Sequence, residues 1–167
     1  MNASDVLKYG HLTLLGTLDG LPSAAWETPG VCGVWSAKQI VAHLASYEEV
    51  LVDILIASLR PAPTPALDRF RELGDAFNDR AVAARDRLSP DAALAAYADA
   101  HAQVMALVAD IPVETLRRPG TIPWYGAEYA LDDLIVYMYY GHKREHAAQI
   151  AVFRDHLDHS LPAPSPS

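Results

Sequence analysis

The chain has 167 residues, 51% of them apolar, and a formal net charge of −8. That length suits one domain with a sizeable core, and an acidic balance without any Lys/Arg cluster argues against a nucleic acid or an anionic membrane as partner. Cys32 is the single cysteine, which excludes an intrachain disulfide.

Ala, Leu and Val dominate, and β-branched or aromatic runs are scarce, so the chain reads as all-α. The first helix is expected over 4–19, with Val6, Leu7, Leu14, Leu15 and Leu18 on one side and Gly20 as its stop. A Pro- and Gly-rich loop follows at 21–35. The second helix has the clearest start. Ser36 is an N-cap, Gln39 closes a capping box, and Trp35 staples onto Ile40. Its stripe runs Ile40, Leu44, Tyr47, Leu51, Leu55 and ends before "RPAPTP" at 60–65.

A third helical segment is expected over 67–88, carrying Phe70, Leu73, Phe77, Ala81, Ala84 and Leu88. Ser89 and Pro90 then cap and start another helix, with Leu94, Tyr97, Val104 and Val108, which ends near Ile111. Residues 113–130 read as irregular and include "PWYG" at 123–126. The last helix is expected from about 131 to 158. Four long amphipathic helices with an additional shorter one make a four-helix bundle the natural fold. The expected domain is 1–159, with "SLPAPSPS" (160–167) as a disordered tail. Neither a signal segment nor a run of 18 apolar residues appears, so a cytoplasmic, soluble protein is expected.

In the last helix the stripe Leu131, Ile135, Met138 leads by three- and four-residue steps to His142 and His146, and on to Gln149. Both imidazoles are therefore expected to face the bundle, at a spacing from which both reach one ion. The pair alone says little, because roughly 0.3 such pairs arise by chance in this composition. His43 adds to it. It lies on the edge of the second helix's buried stripe, between Ile40 and Tyr47. Three unpaired imidazoles in a core would cost several kcal/mol, and one divalent ion satisfies all three.

"WSAKQIVAHL" (35–44) and "YGHKREHAAQI" (140–150), in this order and at this separation, resemble the DinB-like superfamily. That group includes YfiT-type metal-dependent hydrolases, bacillithiol transferases and the N-terminal domain of mycothiol-dependent maleylpyruvate isomerase. "FNDRAVAARDRLSP" (77–90), "AHAQVMALV" (100–108) and "PWYG" are similar to the actinobacterial, mycothiol-type branch. The resemblance covers roughly residues 5–155. It implies a four-helix bundle whose divalent metal, zinc or nickel, is held by His43, His142 and His146 with an open position. It also implies a low-molecular-weight thiol, such as mycothiol, as cofactor.

The other candidates are weaker. His101 is expected as a core histidine bonded to backbone, or else as a donor facing the cavity. Asn78 is a candidate for touching a substrate or a metal-bound water, against the plainer reading of a polar residue at a helix boundary. Glu145 could orient an imidazole or act as a base, against the plainer reading of a solvated Glu paired with a neighbouring Lys or Arg. Glu48 is no better placed. Trp124 and Tyr125 are expected to wall the pocket mouth. Cys32 reads as a small buried hydrophobe, and His11, His156 and His159 as surface residues.

No Ser or Cys nucleophile with a nearby base is readable, so any chemistry belongs to the metal, which ionises a bound thiol or water. The leading expectation is a thiol-dependent transferase or isomerase acting on a small electrophile. The competing readings are a metal-dependent hydrolase and a non-catalytic stress-response bundle that binds metal or ligand. DNA binding is disfavoured by charge. The expected partner is a small-molecule substrate, with a homodimer as one option for assembly.

Overall fold

A computed structural model describes residues 2–159, with side chains through residue 157. The Pro/Ser tail and the side chain of His159 lie outside the described residues. The fold is all-α: α1 (Ala3–Asp19), α2 (Ala37–Leu59), α3 (Pro65–Leu73), α4 (Phe77–Ala84), α5 (Pro90–Asp110), α6 (Val113–Leu116), α7 (Leu131–Leu134) and α8 (His142–His159). A π-helical segment, Ile135–Gly141, joins α7 to α8. Among the described residues there is no strand, only an isolated bridge between Cys32 and Trp35.

The bundle consists of α1, α2, α5 and the run from α7 to α8, with α3 and α4 laid against α2. α2 starts where the sequence says it should. The Ser36 hydroxyl accepts from the Gln39 N–H, and the Gln39 amide oxygen accepts from the Ser36 N–H, so two donors that the first turn leaves open are satisfied reciprocally. Ser89 caps α5 by a single bond, its hydroxyl accepting from Ala92 N at 3.2 Å. α3 is capped from outside. Asp53, on α2, accepts from the N–H groups of Ala66 and Leu67 at 2.6 and 3.1 Å. α5 is the one helix among the described residues long and apolar enough by composition to cross a membrane. It buries Ala93, Tyr97, Ala100, Val104 and Val108 in the bundle.

Two expectations are corrected. The continuous helix expected over 67–88 is broken by a 3₁₀ turn, Gly74–Ala76. Gly74 has φ 49° and ψ −125°, a conformation a side chain would resist. The break brings Phe70 and Phe77 together, ring centroids 5.0 Å apart. The stretch expected to be irregular contains the short helix α6.

The core is divided along the bundle axis. One apolar cluster holds Leu7 of α1, Leu51 and Leu55 of α2, Val104 and Val108 of α5, and Leu131 and Tyr139 of the last run. The other holds Leu14, Ile40 with Leu44, Tyr97, and Ala147 with Ile150 from the same helices in the same order. Between the two, each helix turns a polar side chain inward: His11, His43 with Glu48, His101, and His142 with Lys143 and His146.

Candidate metal centre

His43 comes from α2, and His142 and His146 from consecutive turns of α8. The Nε2 atoms of His43 and His142 are 2.9 Å apart, and those of His142 and His146 are 3.0 Å apart. One nitrogen from each ring lies within 4.8 Å of the others, an arrangement that could hold a metal ion. His43 and His146 are buried and His142 half-buried.

The electrostatics suit a cation. Burial, and then the neighbouring rings of His142 and His146, lower the His43 pKa to about 3. Burial and then His146 bring His142 to about 4, and burial lowers His146 as well. All three imidazoles are thus neutral at pH 7, with their Nε2 atoms turned toward one another at hydrogen-bond distance. A metal at about 2.0–2.1 Å from each nitrogen sets tetrahedral neighbours about 3.3 Å apart, so His142 would need to part from His43 and from His146 by less than about half an ångström.

Neighbours orient the rings. The Nδ1–H of His146 donates to the Gln149 side-chain oxygen at 2.8 Å, which leaves its Nε2 as the free acceptor. His43 is steered by packing: Trp35 lies 5.0 Å and Tyr47 4.8 Å from its ring centroid. Its Nδ1 is buried without a hydrogen-bond partner.

The π segment decides which side of α8 faces in. A widened turn absorbs one extra residue and rotates everything after it by about 100° relative to an unbroken α-helix. The expected stripe through Met138 is therefore corrected. Tyr139, Lys143, Ala147 and Ile150 are fully buried, whereas Met138 is half-buried.

The site is open on one side. His142 borders a cleft of about 450 Å³, together with Tyr47, Tyr137, Met138, Gly141 and Glu145. Tyr47 also walls a second cleft of about 460 Å³, whose lining includes Phe70, Arg71, Asn78 and Trp124. The Tyr47 ring touches His142 at 4.6 Å between centroids, and its hydroxyl donates to Asn78 Oδ1 at 3.2 Å.

The other sequence candidates divide. Asn78 and Trp124 line the second cleft, but Tyr125 packs edge-on against Trp124 and lines neither. Glu145 faces the first cleft and makes no ion pair or hydrogen bond among the described residues, so Gln149 orients His146 in its stead. His101 is a core residue whose partner is a carboxylate, where backbone was expected. Its Nδ1–H donates to Glu48 Oε2 at 2.8 Å. Glu48, read as unremarkable, is 1% exposed and pairs at 2.7 Å with Lys143, also 1% exposed. Burial alone would raise its pKa; Lys143 and His101 outweigh that and hold it below the usual carboxylate range.

His11 is no surface residue. It is half-buried, stacked on His101 at 4.1 Å, and its Nδ1 lies 3.1 Å from the Tyr97 hydroxyl. His156 is exposed as expected. Cys32 is half-buried against the second apolar cluster, away from both clefts. Sequence reasoning placed Tyr47 and Gln149 on inward stripes without giving them a role, and passed over Lys143. Only the three-residue spacing of Gln149 from His146 offered a signal.

No curated protein and no solved structure matches the chain at a significant level. A family model described as the DinB superfamily matches residues 11–150, and with that span covering most of the bundle and all three histidines, the chain belongs to the DinB superfamily.

Proposed function

We propose that the chain is a metal-dependent enzyme that joins a low-molecular-weight thiol to a small electrophile, or isomerises one through such an adduct. The observation that carries this is the set of three neutral, converging imidazoles, one of which, His142, borders an open cleft. A divalent ion held there, zinc or nickel, supplies a Lewis acid that ionises a thiol or a water at neutral pH.

The chain's own residues do the rest. His43, His142 and His146 supply the nitrogen ligands, and Gln149 keeps His146 in the ligating tautomer. Tyr47, Phe70 and Trp124 form an aromatic wall suited to a flat, apolar substrate body. Asn78 holds the Tyr47 hydroxyl and so fixes that wall. Glu145, exposed in the cleft beside His142, can take a proton from an incoming nucleophile. The same carboxylate is what favours hydrolysis as the second reading. A cytoplasmic setting belongs to the proposal, resting on the lone cysteine.

The test begins with elemental analysis of untagged protein, where one divalent ion per chain is expected. Thiol is then added to the cobalt-substituted protein, with mycothiol as the first choice. A new sulfur-to-metal charge-transfer band and transfer to a test electrophile are expected together. Stoichiometric metal in the His43→Ala/His142→Ala/His146→Ala variant would place the ion elsewhere and sink the reading. A saturating thiol that leaves the spectrum unchanged would remove thiol transfer and leave hydrolysis or binding alone.

A further inference from the structure

The buried charges lie at the boundary between the two apolar clusters. Lys143 Nζ is 2.7 Å from Glu48 Oε1, and His101 Nδ1 is 2.8 Å from Glu48 Oε2, so the carboxylate receives one partner from α8 and one from α5. Lys143 Nζ also approaches His101 Nδ1 to 3.4 Å. The carboxylate accepts the hydrogen bond from Nδ1–H, so that last distance is contact and not a bond. His11 of α1 completes the layer by stacking on His101. Gly10 makes room for it: a Cβ there would lie 3.4 Å from Lys143 Cδ and 3.2 Å from Tyr140 Cδ2.

We infer that Glu48, His101 and Lys143 are positioning residues for the metal centre, fixing α8 against α2 along the bundle axis so that His142 and His146 meet His43. The inference rests on the metal-centre reading above. Lys143 follows His142 directly, and Glu48 is five residues after His43 on the same helix, so joining Lys143 to Glu48 joins the two halves of the ligand set.

Two physical arguments support it. The apolar side chains above and below the layer are mostly Leu, Val, Ile and Ala. Such surfaces discriminate against a slide of one helical turn, about 5.4 Å, less sharply than paired charges do, because apolar burial is non-directional. The charged layer resists it, because the slide would leave an ammonium and a carboxylate unpaired in an apolar core. A buried ion pair also adds little net stability over apolar residues of similar volume, so fixing register is its better-attested use. Before an ion arrives, the three imidazoles share only neutral contacts at 2.9 and 3.0 Å, whereas the layer holds a full charge pair.

The experiment compares three variants with the parent protein. Glu48→Met/His101→Leu/Lys143→Met makes the layer apolar. Glu48→Gln/Lys143→Met removes the charges but keeps an acceptor for His101. Val108→Ala weakens the core on α5 without touching the layer. Zinc affinity is read by competition with a chromogenic chelator, ligand geometry by the visible spectrum of the cobalt form, and stability by the melting temperature of metal-free protein.

Both layer variants are expected to bind zinc about 10–100-fold more weakly and to show an altered cobalt spectrum, while the apolar one melts no lower than the parent. Val108→Ala should melt lower with zinc affinity unchanged. Unchanged zinc affinity and spectrum in the layer variants would overturn the inference. So would an equal loss of affinity in Val108→Ala, or failure of both layer variants to fold, since the layer would then serve stability. A parent protein that binds no zinc or nickel would refute the metal-centre reading instead.

Discussion

At the scale of single residues, the metal centre depends on where protons sit. Burial keeps each ring neutral, and at His146 Gln149 accepts the Nδ1–H hydrogen bond, which leaves Nε2 as the acceptor. Replacing Gln149 with Leu removes the partner of Nδ1–H. Zinc affinity should fall by about tenfold or more while the melting temperature of the metal-free protein hardly moves; equal zinc affinity by chelator competition would show that packing alone orients the ring. The sequence revealed His142 and His146 through their four-residue spacing. It left Glu48 and Lys143 looking like ordinary charges, because a charge on a helix is usually solvated. Nothing local says that these two meet across a gap of 95 positions.

At the scale of elements, two features carry the site. α2 is a long, mostly buried helix started by a reciprocal cap, and Ser36→Ala should cost about 1 kcal/mol in chemical denaturation. The π segment is the more consequential. Deleting Gly141 removes the extra residue and should turn α8 by about 100° against the core. Helicity by circular dichroism should be largely kept while zinc binding is lost. A deletion variant that still binds zinc like the parent would mean that the widened turn has no part in aiming the ligands. Periodicity in the sequence could not reveal this turn, because Met138 and Tyr139 are both credible core residues. The break at Gly74 was hidden for a related reason: Phe70 and Phe77 keep helical spacing across it.

At the scale of the whole molecule, the histidines link stability to pH. His11, His43 and His142 have folded pKa values of about 4, 3 and 4, and that of His146 is lowered too, against 6.5 for an unburied imidazole. Between about pH 6.5 and 4 the unfolded chain binds protons that the folded chain does not. Stability should therefore fall as the pH drops through that window, each fully differing group contributing up to about 1.4 kcal/mol per pH unit. Denaturant titrations of metal-free protein at about pH 7 and about pH 5 check this; equal free energies would mean that the rings protonate in the fold as readily as outside it. Bound metal acts on the same equilibrium by mass action. Chelation should lower the melting temperature yet leave a folded bundle, since the two apolar clusters do not need the ion. Complete unfolding on chelation would make the site structural.

The sequence by itself determined the long helices, the caps of α2 and α5, the bundle and the three candidate ligands. Each of these is written in local spacing: an apolar stripe, a cap three residues before its partner, two imidazoles one turn apart. Only the tertiary structure decided that the ligands converge on one point, that a widened turn aims them, and that a carboxylate from α2, an ammonium from α8 and an imidazole from α5 form a layer beneath them. Those are relations between helices, fixed by burial and by the cost of leaving a charge unpaired in an apolar core. A pattern along one helix does not contain the helix that will lie across from it.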